Sequence, residues 1–174
     1  MDTYLLICAL IFAILGGIED ARHRRIPNRL TYFGFLAALL VRLLVLGWPG
    51  LKDGLIASLG AGGFLFVLFA LRGLGAGDVK LMAAVAAWAG RRYIVDLVFA
   101  SMLTGAVMGV GLVLYRKRIV VTLLNTMELF RHHLTTGFRP HPELNIDQPD
   151  SARVPFAPAI AIGTLYCVIQ KLWG

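Results

Sequence analysis

The sequence predicts an all-α fold, a polytopic membrane helix bundle, and three observations carry that reading. The chain of 174 residues is 58% hydrophobic and 16% charged, with a mean hydropathy of +0.75. That balance leaves too little polar surface for a soluble domain of this size. The apolar residues fall into six runs, most of them near the ~20 residues that a helix needs to span a bilayer. The basic residues gather between alternate runs instead of lining one polar face.

The runs cover residues 3–18, 30–46, 51–71, 79–89, 93–115 and 154–173. The first follows an acid, Asp2, and precedes a basic cluster, so it reads as a retained anchor and not a cleaved signal. The fourth is short. Its Ala83, Ala84, Ala86, Ala87 and Ala89 would let neighbouring helices approach closely and wall it off from lipid.

Between the fifth and sixth runs lies the one long polar connection. Residues 118–153 are expected to form a cytoplasmic amphipathic helix and a loop within a single membrane-embedded domain, 1–174. Ile119, Val120, Leu123, Leu124, Met127 and Phe130 share one helical face there, as in a helix lying on a membrane surface. The remainder is rich in proline and polar residues and reads as loop.

Twelve basic residues, among them Arg22, Arg24, Arg25, Arg29 and Arg116, fall on one side of this alternation, and four, Lys52, Arg91, Arg92 and Lys171, on the other. The excess marks the cytoplasmic side and puts both termini outside. Trp48 and Trp173 then sit at the outer interface.

Composition also excludes several classes. The net charge of +7 resides in these topogenic loops, so no nucleic-acid partner is expected. Cys8 and Cys167 lie far apart in apolar runs and suggest neither a metal site nor a disulfide. His132, His133 and His141 sit in the loop without matching acids or thiols, so no metal is expected. "GLGAGDVK" lacks the Gly-Lys-Ser/Thr of a phosphate loop. Ser58 and Ser101 have no histidine base nearby in sequence, and no cofactor is implied.

Two acids remain. Asp20 stands where the first span leaves the bilayer, in "EDARHRRIPNRL", and Asp78 where the chain enters the fourth, in "GLGAGDVKLM". Two complete spans separate them, so parity alone puts both on one membrane face. Two carboxyls within hydrogen-bond range would share a proton; the charged member activates a water and the protonated one polarises a peptide carbonyl. Gly73, Gly75 and Gly77 expose backbone and permit positive φ, which would give an extended peptide access to Asp78. Other roles stand beside these. Asp20 could balance Arg24, Asp78 could cap the fourth helix, Glu19 would be an interfacial charge, and Lys80 would snorkel to the interface. A non-enzymatic transporter or assembly factor with Asp78 in a polar cavity is the competing function.

The motifs resemble those of the type IV prepilin peptidases, the GxGD membrane aspartic proteases. "DARHRRIPN" is similar to that family's Asp-x6-Pro segment, and "GAGDVKL" to its GxGD-x-Lys-Leu segment. "VPFAPAIAIG" resembles a Pro-Phe-Gly-Pro stretch, with Ala157 in place of the glycine. The resemblance implies that Asp20 and Asp78 are the catalytic pair, with Pro27, Asn28, Gly75, Gly77 and Lys80 as supporting motif residues. It implies an endopeptidase that cuts the basic leader from prepilin or pseudopilin substrates, ahead of their apolar helix, at the cytoplasmic face of the bacterial inner membrane. Larger members carry paired CxxC motifs and methylate the new N-terminus. This chain has no CxxC, so the resemblance is to a short form without methyltransferase activity, as in enzymes serving Flp-type, tight-adherence pili.

Overall fold

A computed structural model describes residues 2–71, 73–115, 124, 127, 128, 131 and 155–173. Most of those residues are helical, and none of them lies in a strand. In chain order come α1 (Asp2–His23), α2 (Asn28–Ala70), α3 (Ala76–Ala89), a 3₁₀ turn (Arg91–Tyr93), α4 (Ile94–Tyr115) and α5 (Ala157–Trp173). Among the described residues three helices, Thr3–His23, Asn28–Ala70 and Arg91–Tyr115, are long and apolar enough to cross a membrane. The expected surface helix over 119–130 lies largely outside the described residues, as do His132, His133 and His141.

α2 is 43 residues long and would extend ~64 Å if straight, about twice the hydrocarbon thickness. It is not straight. Gly47 takes φ 66° and ψ −159°, and Pro49 follows within the same helix. A residue other than glycine is strained at that φ, and proline removes an amide donor, so the helix breaks here. The chain then reverses. A Cβ added at Gly54 would lie 3.4 Å from Leu39 Cδ2, although those residues would be ~22 Å apart along one axis. α2 is therefore a helical hairpin, its two arms matching the second and third apolar runs.

α3 lies parallel to the first arm and antiparallel to the second. Trp88 Nε1 donates to the carbonyl of Gly34 at 3.0 Å, and a Cβ at Gly62 would meet that of Ala83 at 2.8 Å. α1 closes a third side, where a Cβ at Gly16 would stand 2.6 Å from Leu81 Cδ1. Small residues let these backbones approach, and dispersion replaces a hydrophobic force that is absent in lipid. Leu81, Met82, Ala84, Val85, Ala86 and Ala87 of α3 are buried accordingly, as the alanine-rich composition predicts.

α5 packs between α1 and α4. Pro158 backs onto Gly17 of α1, and Phe156 fills the space over Gly105 of α4. α4 meanwhile exposes Phe99, Val107 and Val110, an apolar outer face suited to lipid. These antiparallel contacts gather the C-terminus of α1 and the N-termini of α2, α3 and α5 at one end of the bundle.

Candidate active site

That shared end holds both motif acids. α1 runs on to His23 and does not stop at 18. Glu19 and His23, one turn apart, pair at 3.0 Å and extend the helix past the apolar run. Asp20 thus sits on the last turn of a helix and not in a loop. Arg24 then ends the helix at φ 51°, with its amide donating to the Asp20 carbonyl at 2.8 Å. The Asp20 side chain is 8% exposed and makes no ion pair with Arg24; its Oδ2 accepts the Ala157 amide at 3.3 Å. That amide belongs to the first turn of α5, where helical N–H groups have no intrahelical partner and the dipole is positive.

Asp78 is the third residue of α3, and Gly75 is its N-cap, with φ −80° and ψ 147°. Its Oδ2 reaches back to accept the Gly75 amide at 3.3 Å, the acidic half of a capping box. The capping role raised from sequence is therefore real, and it holds the carboxyl at the mouth of the helix. Burial pushes the Asp78 carboxyl up to about 7, the charge on Asp20 raises it further within that value, and the Gly75 hydrogen bond opposes both. Asp20 thus stands close enough for its charge to resist ionisation of Asp78.

The glycines work differently from expectation. Among the described residues only Gly47 and Gly90 have positive φ among glycines, so Gly73, Gly75 and Gly77 do not supply left-handed backbone. They supply room. A Cβ at Gly75 would crowd Asp78 Oδ2 at 3.1 Å, and one at Gly77 would touch Ile26 at 3.4 Å. Both motif loops can therefore close against each other.

Three further residues join the motifs. Pro27 is the N-cap of α2, in extended conformation at φ −62°, ψ 132°. Asn28 Oδ1 accepts a hydrogen bond from Lys80 Nζ at 2.9 Å, and the ammonium lies 5.6 Å from the centroid of the Tyr32 ring. Lys80 is therefore a tie between the two motifs. Sequence inspection missed that tie and the Ala157 amide, since neither leaves a local pattern. The juxtaposition of the three motif segments in order was the available signal.

A buried carboxyl, Asp20, and a partly buried one, Asp78, thus stand at one end of a helical bundle whose outer faces suit lipid. Residues 6–110 match the type IV leader peptidase family, and the chain belongs to that family. It is 35% identical over 159 residues to a prepilin leader peptidase/N-methyltransferase of Aeromonas hydrophila, covering 86% of this chain and 42% of that protein. It is 36% identical over 121 residues to leader peptidase HopD of Salmonella typhimurium, covering 65% of this chain and 77% of that one. A Bacillus subtilis prepilin leader peptidase/N-methyltransferase is 29% identical over 178 residues, covering 100% of this chain and 57% of its own length. The chain thus spans less than half the length of the Aeromonas relative. No solved structure matches it.

Proposed function

We propose that the chain is a membrane aspartic endopeptidase that removes the basic leader from type IV prepilins or pseudopilins at the cytoplasmic face of the inner membrane. The observation that carries this reading is the convergence of both motif acids at one end of the bundle, Asp20 on the Ala157 amide and Asp78 on the Gly75 amide. A carboxyl that keeps its proton near neutrality can donate to a peptide oxygen, while its charged neighbour accepts a proton from water.

The roles divide accordingly. Asp20, which accepts the α5 amide, is the ionised member and takes a proton from the attacking water. Asp78 donates its proton to the carbonyl oxygen of the scissile peptide as the tetrahedral diol forms. Collapse returns a proton from the diol to Asp78, and Asp20 passes its proton to the leaving amine. Gly75 and Gly77 keep side chains out of the path of an extended substrate. Lys80 and Asn28 position the two motif loops without touching the reacting atoms.

Topology supports the same reading. Taken as crossings, the two arms of α2 with α1, α3, α4 and α5 would number six, with both termini outside and the acids level with the cytoplasmic headgroups. A prepilin leader is a short basic segment ahead of an apolar helix, so its cut bond would reach that level. Family membership favours this function over a transporter. Co-expression with a candidate prepilin, followed by gel mobility of the pilin, tests the reading. Leader removal is expected with the wild-type chain, and unchanged pilin mobility would refute it.

A further inference from the structure

A second polar site lies at the other end of the bundle. α3 runs from Ala76 to Ala89, so its C-terminus stands about 16 Å from Asp78 along the axis. Beside it, between the α2 kink and the turn Arg91–Tyr93, opens a cavity of about 670 Å³. Arg42, Lys52, Arg91 and Arg92 line it together with the carboxylate of Asp53, and Leu46 and Ile56 contribute apolar wall.

The charges in this cavity do not balance. Arg42 is 4% exposed; its Nη1 donates to Asp53 Oδ2 at 2.8 Å and its Nη2 to the Trp88 carbonyl at 3.1 Å. Its buried Nε has no partner among the described residues. Arg91 uses the same carboxylate, with Nε 3.2 Å from Asp53 Oδ1 and its amide 3.4 Å from Oδ2. Lys52 and Arg92 are exposed at the rim and form no ion pair among the described residues. Two guanidinium groups therefore divide one carboxylate while two further cations face the same recess. Cations this close repel one another within a Debye length, and low-dielectric walls focus their field into the opening. An anion entering there would relieve that repulsion.

The shape and chemistry specify which anion. Guanidinium forks match phosphate oxygens and form charge-assisted hydrogen bonds with them. The apolar wall of Leu46 and Ile56 suits a carbon substituent. Basic recesses between membrane helices at interface depth are suited to anionic headgroups. We propose that this cavity binds a phosphate-bearing anion, with its oxygens on Lys52, Arg91 and Arg92. Arg42 and Asp53 hold the floor rigid. The site is separate from the aspartates and does not depend on the protease reading.

The test uses the full chain in a neutral detergent, titrated separately with short-chain phosphatidylglycerol, short-chain phosphatidylcholine and inorganic phosphate, with tryptophan fluorescence as the readout. Saturable binding of phosphatidylglycerol is expected, with phosphatidylcholine at least about tenfold weaker. Binding of phosphatidylglycerol but not inorganic phosphate assigns a lipid headgroup; binding of both assigns phosphate itself as the ligand. The double variant Lys52→Gln/Arg92→Gln, altered only at exposed positions, should bind at least about tenfold more weakly. The charge-preserving Lys52→Arg/Arg92→Lys variant should retain binding. The proposal is overturned if neither phosphatidylglycerol nor inorganic phosphate binds saturably, if phosphatidylcholine binds as tightly as phosphatidylglycerol, or if the glutamine variant binds like wild type.

Discussion

At one end of the bundle stand the two motif carboxyls, Asp20 and Asp78; at the other, Arg42 and Arg91 converge on the single carboxylate of Asp53. Both ends gather charge, with opposite results. Opposite charges in contact satisfy each other and fix architecture. The Arg42 guanidinium bridges the two arms of the α2 hairpin and caps the negative C-terminal end of α3 through the Trp88 carbonyl. Like charges in proximity leave one proton poorly placed. That costs stability and makes a group titrate near neutrality, which suits chemistry and not scaffolding.

The comparison predicts where each end breaks. The largest stability effect belongs to the arginine end. Arg42→Met removes the hairpin tie and leaves Asp53 with Arg91 alone, and should cost about 3 kcal/mol or more in reversible unfolding. A loss below about 1 kcal/mol would show that the tie contributes little.

A pH effect belongs to the aspartate end. The folded Asp78 carboxyl is raised from 3.8 to about 7, so over that interval the folded chain holds a proton that the unfolded chain has released. Stability from this group therefore falls as pH rises between those values. Asp78→Asn should flatten that slope in thermal melts, whereas Asp53→Asn should not. The same titration predicts that leader cleavage declines above about pH 7, as Asp78 loses the proton it must donate.

Smaller effects sharpen the contrast. Gly90 has φ 92°, and a Cβ there would strike the Arg42 guanidinium and Asp53. Gly90→Ala should then cost about 1–3 kcal/mol by strain and displacement. Lys80→Met loses the tie to Asn28 and should cost about 1 kcal/mol, with a cleavage loss below about tenfold. A larger loss of cleavage without a change in melting would place Lys80 against the substrate.

Much of the fold was legible because the bilayer imposes length and periodicity. All six apolar runs correspond to helical segments, and the alanine spacing in α3 foretold a walled helix. Parity put Asp20 and Asp78 on one side before any packing was known. What escaped reading were pairings between distant residues. Ala157 to Asp20 crosses 137 positions, Lys80 to Asn28 crosses 52, and Arg42 to Trp88 crosses 46. No window of sequence contains both partners. The glycines misled for a related reason. Their freedom of φ is visible in sequence, but the close approach of Gly75 to Asp78 and of Gly77 to Ile26 depends on tertiary contact.

The central claim is that Asp20 and Asp78 act as one unit. Its most direct test is cleavage of a synthetic peptide, a basic leader joined to an apolar helix, by purified protein in nanodiscs, with products identified by mass. Asp20→Asn and Asp78→Asn should each lower the rate by about 10³-fold or more, and the double variant should be no worse than either single one, as for groups that work together. Cleavage near the wild-type rate by either single variant would contradict the account.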